Sequence, residues 1–232
     1  MGTYLIKLTF RSDALPGSGE GFGSVIDQDI VFDDLGIPYI PAKRIKGLLR
    51  ESYEEVYQIC KNNGSAFCLE ADSLFGKPGQ QSESPVYFSN LFVEDYKNIK
   101  NILKKLSLKF PSIFNRESIT EAFTYLRQQT AIDQSTGNAL PHSLRTLRVL
   151  KKGITFVGDL KIDMGSSYNN DKNKNTQYIK NCLYCLALAC KNLKRMGTKR
   201  TRGFGEIDCF LADSSGKDLT EEAITWLSGG NK

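Results

Sequence analysis

Residues 26–50, IDQDIVFDDLGIPYIPAKRIKGLLR, decide how the chain is built. The stretch opens as an acidic loop carrying Asp27, Asp29, Asp33 and Asp34 and ends as a helix. Pro38 and Pro41 mark the change, because proline is favoured in a first helical turn and pushes its predecessor into an extended conformation. Beyond Pro41, the apolar residues Ile45, Leu48, Leu49, Val56 and Cys60 recur at helical spacing, which predicts a stripe turned to a core. The DDLG run at 33–36 has the composition of a β-turn.

Lys43, Lys46, Gly47 and Arg50 fall on the other side of that helix. Three basic residues on a helix face also suit plain solvation. The glycine argues for more. Inside a helix it costs roughly 0.5–1 kcal/mol relative to alanine, and here it leaves a gap in the middle of the basic face, wide enough for a phosphate chain to come close.

A second basic cluster lies at KRMGTKRTRGFGE, where Lys194, Arg195, Lys199, Arg200 and Arg202 crowd around Gly197, Gly203 and Gly205, with Phe204 between the last two. Glycine permits the positive φ values that aim successive N–H groups at one anion, and arginine adds bidentate phosphate contacts. A helix end followed by an ordinary glycine turn would look similar. The density of positive charge favours RNA phosphate.

The chain has 232 residues, 40% of them apolar, so it can bury a full core. Its net charge of +5, from 31 basic and 26 acidic residues, is too mild to argue for nucleic acid except through clustering. No signal peptide and no apolar run long enough for a bilayer is present, which predicts a cytoplasmic protein without a membrane partner. Cys60, Cys68 and Cys209 are scattered, and Cys182, Cys185 and Cys190 sit in the apolar run CLYCLALAC. Buried, reduced thiols are the reading that spacing favours.

In order, TYLIKLTFRS alternates as a strand with one buried face, and ALPGSGEGFGS is an irregular loop. After the first helix, DSLFGKPGQQSESP is a turn-rich connector and VYFSNLFV a second strand. ILKKLSLKF and ITEAFTYLRQQ read as helical, and TAIDQSTGNALPHSLRTLRVL as an exposed turn within an extended excursion. KGITFVGDLKID is a third strand, SSYNNDKNKNTQ a polar loop in which Thr176 caps a helix running to about Arg195, and EIDCFLA a last strand. Strand, helix, strand, strand, helix, strand is the ferredoxin-like (RRM-like) βαββαβ pattern, an α+β sandwich, here as one domain over 1–232 with an insertion at about 95–150 and a tail at 213–232 that forms a short helix around Trp226.

The sequence resembles the RAMP superfamily, the RNA-binding subunits of type III CRISPR effector complexes. IDQDIVFDDLGIPYIPAKRIKGLLRE is similar to that family's acidic loop and Y-I-P-x-x-x-x-K-G-x-x-R helix, and KRTRGFGE to its C-terminal glycine-rich loop. SLFG with the strand beginning VYFSN, and AIDQSTGNAL at 131–140, resemble two further segments, the second being the β-hairpin thumb that wedges into the guide–target duplex. With GSGEGFG in front, the match looks most like subtype III-D. Similarity runs from Lys7 to Phe210, leaving 95–129 and the tail unmatched.

The resemblance implies a crRNA-binding subunit that meets target RNA and other type III subunits. It assigns RNA contacts to Lys43, Arg44, Lys46, Gly47, Arg50, Lys199, Arg200, Arg202, Gly203, Phe204 and Gly205, and thumb positions to Ile132, Asp133 and His142. In family members that cut target RNA, a loop acid before the first helix sits by the flipped nucleotide and a divalent metal assists. Asp27 matches that position, as catalytic residue and as ligand of Mg²⁺ or another divalent cation. Two other roles stay open: a non-catalytic subunit capping the crRNA 5′ handle, and a stand-alone crRNA-processing endoribonuclease. The second commonly uses a histidine near the first helix, whereas the single histidine here, His142, lies in the thumb-like segment.

Overall fold

The computed structural model describes residues 3–17, 29–62, 68–77, 84–163 and 172–228. The first strand, β1 (Thr3–Phe10), alternates as its sequence predicts and buries Ile6, Leu8 and Phe10. It runs between β7 (Thr155–Ile162) and β8 (Ile207–Ala212), antiparallel to both, so that Leu8 pairs with Phe156 on one side and Cys209 on the other. The far edge of β7 holds two short strands, β3 (Val86–Phe88) and β4 (Leu91–Val93), and β4 in turn pairs with β2 (Tyr39–Ile40). Taking β3 and β4 as one position, the strands stand in the order last, first, third, second, all antiparallel. That is the ferredoxin-like α+β arrangement.

Two long helices, α1 (Ala42–Asn62) and α5 (Lys172–Asn192), pack into the core that includes Ile6, Leu8 and Phe10. Helix α1 buries Ile45, Leu49 and Cys60 of the expected stripe, and Leu48 and Val56 lie half-buried beside it. Ser52 and Tyr53, which a purely apolar pattern passes over, are buried as well. They form the seam to α5: Ser52 Oγ donates to the Ala189 carbonyl at 2.8 Å and Tyr53 Oη to Cys185 Sγ at 3.1 Å. Residues 182–190 of α5 are buried without interruption. A helix apolar on all sides must be covered on all sides, and the last cover comes from α6 (Thr220–Leu227), whose Trp226 ring lies 5.5 Å from that of Tyr184. Five of the six cysteines are buried and Cys68 is half-buried.

Several expectations need correction. The connector at 72–85 contains a short helix, α2 (Ala71–Phe75), and 78–83 lie outside the described residues. VYFSNLFV is not one strand: Ser89 turns aside to accept from the Asp159 N–H at 2.7 Å, and the Asn90 side chain accepts from the Ala42 N–H at 2.8 Å. ILKKLSLKF does lie in a helix, α3 (Tyr96–Lys109). Within ITEAFTYLRQQ only ITEAF is helical, in α4 (Arg116–Phe123), and TYLRQQ is a strand, β5 (Thr124–Gln129). It pairs with β6 (Arg145–Leu150) in a separate two-stranded sheet, so the excursion is a long hairpin. Helix α5 begins at Lys172, which puts Thr176 inside it rather than at its cap. Among the described residues no helix is long and apolar enough to cross a membrane.

Candidate nucleic-acid interface

The acidic loop reaches α1 through a tight turn. The Asp33 carboxylate accepts from the N–H groups of Leu35 and Ile37, both at 2.9 Å, and the Gly36 N–H donates to the Asp33 carbonyl, so 33–36 is a turn as its composition predicts. Asp27 and the glycine-rich 18–25 lie outside the described residues. Beyond Pro41, whose carbonyl accepts from Arg44 and Ile45, α1 presents Lys43 and Gly47 to solvent and Lys46 half-buried. An added Cβ at Gly47 would meet nothing within 4 Å. Burial, and then the Arg50 charge, lower the Lys46 amine below the ordinary lysine value.

The other two basic residues of this helix are turned to protein. Arg44 donates to the Pro16 carbonyl at 3.1 Å. Arg50 is held by Glu54 (3.0 Å), Asp72 (2.5 Å) and the Gly76 carbonyl (2.5 Å). Its guanidinium fastens α2 to α1, and it meets a phosphate only by sharing or leaving those partners.

The glycine-rich loop is folded onto the same region. A short 3₁₀ turn at Arg200–Arg202 follows Lys199, which has a left-handed backbone (φ 57°), and Gly203 and Gly205 are left-handed too. Arg200, Arg202 and Gly203 are exposed. Lys199 donates to the Gln129 side chain of the hairpin, and burial followed by the charges of Arg202 and Arg127 lowers its amine. Phe204 is buried, in a small second core with Leu15, Leu147 and Val149, and the Arg127 guanidinium lies over its ring at 5.1 Å. Phe204 anchors the loop to the hairpin and is not free to stack on a base.

One piece of backbone, 13–17, joins these parts. The Pro16 carbonyl takes Arg44 from α1. The Leu15 and Asp13 carbonyls take the N–H groups of Thr198 and Gly205 from the glycine-rich loop, at 3.0 and 2.8 Å. Ala14 pairs with Leu150 of β6, and the Asp13 carboxylate accepts from Tyr125 Oη of β5 at 2.8 Å. The two basic motifs and the hairpin, far apart in sequence, are thus assembled around a single segment.

At the hairpin tip, Asp133 accepts from the Ser135 N–H and hydroxyl at 2.8 and 2.7 Å. The Ser135 hydroxyl, then its N–H, holds that carboxyl below its ordinary value, as befits a turn former. Ile132 is 63% exposed and His142, exposed too, has a left-handed backbone. At the base, a pocket of about 590 Å³ opens between Asp29, Phe32, Thr120, Glu121, Leu126 and Arg148. Arg148 Nε lies 3.0 Å from Asp29 Oδ1, too poorly directed for a hydrogen bond, and its guanidinium lies 5.9 Å from the Phe32 ring centre. Sequence reasoning missed Asp29, Arg127 and Arg148 as interacting groups. The alternation in RTLRVL, with Leu147 and Val149 inward, is the signal that would have shown β6 and turned Arg148 to the pocket.

Among the described residues no group of three histidine, cysteine or acidic side chains is arranged to hold a metal ion. Asp29, the acid nearest in sequence to Asp27 on the described side, is spoken for by Arg148 and by the Ile30 N–H. The described side chains do not by themselves make a divalent-cation site.

The RAMP superfamily family model matches residues 7–208. Among solved structures, the fold is similar to a chain of the type III-B Cmr-beta complex bound to cognate target RNA, with a TM-score of 0.62 and 12% identity over 91% of this chain and 97% of that one. A chain of the apo Cmr-beta complex gives a TM-score of 0.60 at 12% identity over 95% and 98%. No curated protein sequence matches.

Proposed function

Because the chain belongs to the RAMP superfamily, we propose that it is a crRNA-binding subunit of a type III CRISPR effector complex, and that the glycine-rich run before Asp27 makes it most like subtype III-D. The observation that carries this is the convergence of the α1 face, the glycine-rich loop and the hairpin on residues 13–17. Such a junction gives RNA phosphates Lys43, Lys46, Arg200 and Arg202, with Gly47 and Gly203 leaving room for the backbone. The hairpin, with Ile132 exposed near its tip, has the shape of a wedge for a paired duplex.

Target cleavage belongs to the same proposal and rests on Asp27, with Mg²⁺ supplying charge stabilisation at the phosphate when bound. The alternative is a non-catalytic subunit capping the crRNA 5′ handle. One experiment separates them. The tagged protein is purified with its companions and bound RNA, and target cleavage is compared between wild type and Asp27→Asn with and without EDTA. The cutting reading expects guide RNA and companions in both, and divalent-dependent cleavage at the facing phosphate only in wild type. Equal cutting by the variant, or none by wild type, leaves the handle-capping role. A chain that carries no guide RNA ends the whole reading.

A further inference from the structure

Helix α3 and the turn behind it differ from the rest of the surface. Tyr96, Ile99 and Leu103 lie against the core, and Lys100 is tied to Asp33 and Asp34 at 3.1 and 2.5 Å. The remainder of the helix has little cover: Leu106 and Ser107 are half-buried, and α3 fully buries none of its residues. Ile102 is 57%, Leu108 80% and Ile113 62% exposed, and Phe110 is 41% exposed. Around them stand Lys97, Lys104, Lys105 and Lys109, all exposed. Lys104 and Lys105 are one helical turn before Leu108, and Lys109 lies over the Phe110 ring at 5.3 Å.

The segment is held in place despite this exposure. The Phe110 and Phe114 N–H groups close turns onto the Leu106 and Phe110 carbonyls at 2.7 and 2.9 Å. Asn115 and Ser118 then make a reciprocal capping box at the start of α4. A fixed segment that keeps aliphatic side chains in water within a ring of lysines is built for contact.

We propose that residues 102–113 dock a neighbouring protein chain presenting carboxylates around an apolar centre. This rests on the reading of the chain as one subunit of a multi-protein particle. Charge chooses the occupant: the charged side chains within 96–113 are all lysines, so a basic partner is repelled and an acidic one attracted. RNA answers the lysines but not the apolar centre: Leu108, Ile102 and Ile113 are aliphatic, and the Phe110 ring already carries the Lys109 amine over one face.

The test uses the full chain purified with its companions and treated with a carbodiimide, which joins lysine amines to carboxylates at zero length. The expected result is Lys104, Lys105 or Lys109 joined to Asp or Glu of a second protein chain. In Leu108→Asp that link is lost and recovery of the linked chain falls at least tenfold, while bound RNA and the melting temperature stay as in wild type. Lys104→Glu, which leaves the apolar centre intact, lowers recovery by a smaller factor. Links confined to this chain, ultraviolet crosslinks from α3 to RNA in their place, or full recovery with Leu108→Asp would overturn the docking surface. Companions and guide RNA that co-purify without any α3 link sink the docking proposal alone. A chain that purifies without either sinks the subunit reading with it.

Discussion

Gly47 and Gly205 stand in the two basic motifs and have opposite reasons for being glycine. At Gly205 the fold itself makes the demand: φ is 72° and an added Cβ would lie 1.9 Å from the Met196 carbonyl oxygen, which no rearrangement of a side chain relieves. Gly197 is similar, with the Leu15 carbonyl 2.6 Å from its would-be Cβ. At Gly47 the backbone is helical and an added Cβ meets open space. Nothing among the described residues repays the loss of roughly 0.5–1 kcal/mol of helix stability there. Gly197 and Gly205 therefore say nothing about RNA, because the protein's own packing explains them. The exposed glycine of the helix is the one that points outward, to a ligand that must come close.

The largest effect that sharpens this contrast is on stability. Gly205→Ala forces a side chain into a left-handed backbone and a filled space, which should cost roughly 3 kcal/mol or more. For a chain of this size that lowers the melting point by about 6–12 °C in thermal unfolding. A variant melting within a degree of wild type would mean that the loop is free to rearrange, and the contrast with Gly47 would collapse.

Gly47→Leu should do the reverse. The helix gains up to about 1 kcal/mol, since leucine is the better helix former and the site is open. RNA affinity, measured by filter binding, should fall about tenfold, equivalent to about 1.4 kcal/mol of lost contact. Gly47→Ala is the sharper control, expected to gain the stability and lose less of the binding. Unchanged affinity in the leucine variant would return this face to solvent.

How much of this was readable in the sequence depended on how local the cause is. The alternation of β1 and the stripe of α1 follow from spacing within one element, and they stand as read. β5 did not, because the side chains of TYLRQQ suit a helix as well and half of them remain exposed, so no buried face sets a period of two. The unbroken burial of 182–190 needed α6, more than thirty residues onward, to cover the far side of α5. The basic motifs were legible, yet their state of pairing was not. Arg50 looks free until Asp72 arrives, and Phe204 looks like a stacking ring until Leu15, Leu147 and Val149 close over it. A charge is visible in the sequence, whereas its partner is a property of the fold.

The smallest effect compares the two motifs through their lysines. Burial and neighbouring positive charge lower both amines, Lys46 beside Arg50 and Lys199 beside Arg202 and Arg127. An RNA phosphate favours the ammonium form, so each amine titrates higher in the complex than in the free protein. Their share of the affinity is complete below the free-state value and drains away as pH rises through the free and then the bound value, at no more than tenfold per pH unit for each amine. Stability moves the other way: the unfolded chain holds these protons to higher pH than the folded one, so between the folded and unfolded values unfolding takes up protons, becomes costlier as pH rises, and the folded state gains. Alkaline titration of RNA affinity and of unfolding free energy should therefore slope in opposite directions. Lys199→Arg, which keeps the charge on a group that does not titrate there, should flatten the loop's share of the affinity slope and leave that of the helix. An affinity slope untouched by Lys199→Arg, but removed by Lys46→Arg, would place the phosphate contact on α1 alone.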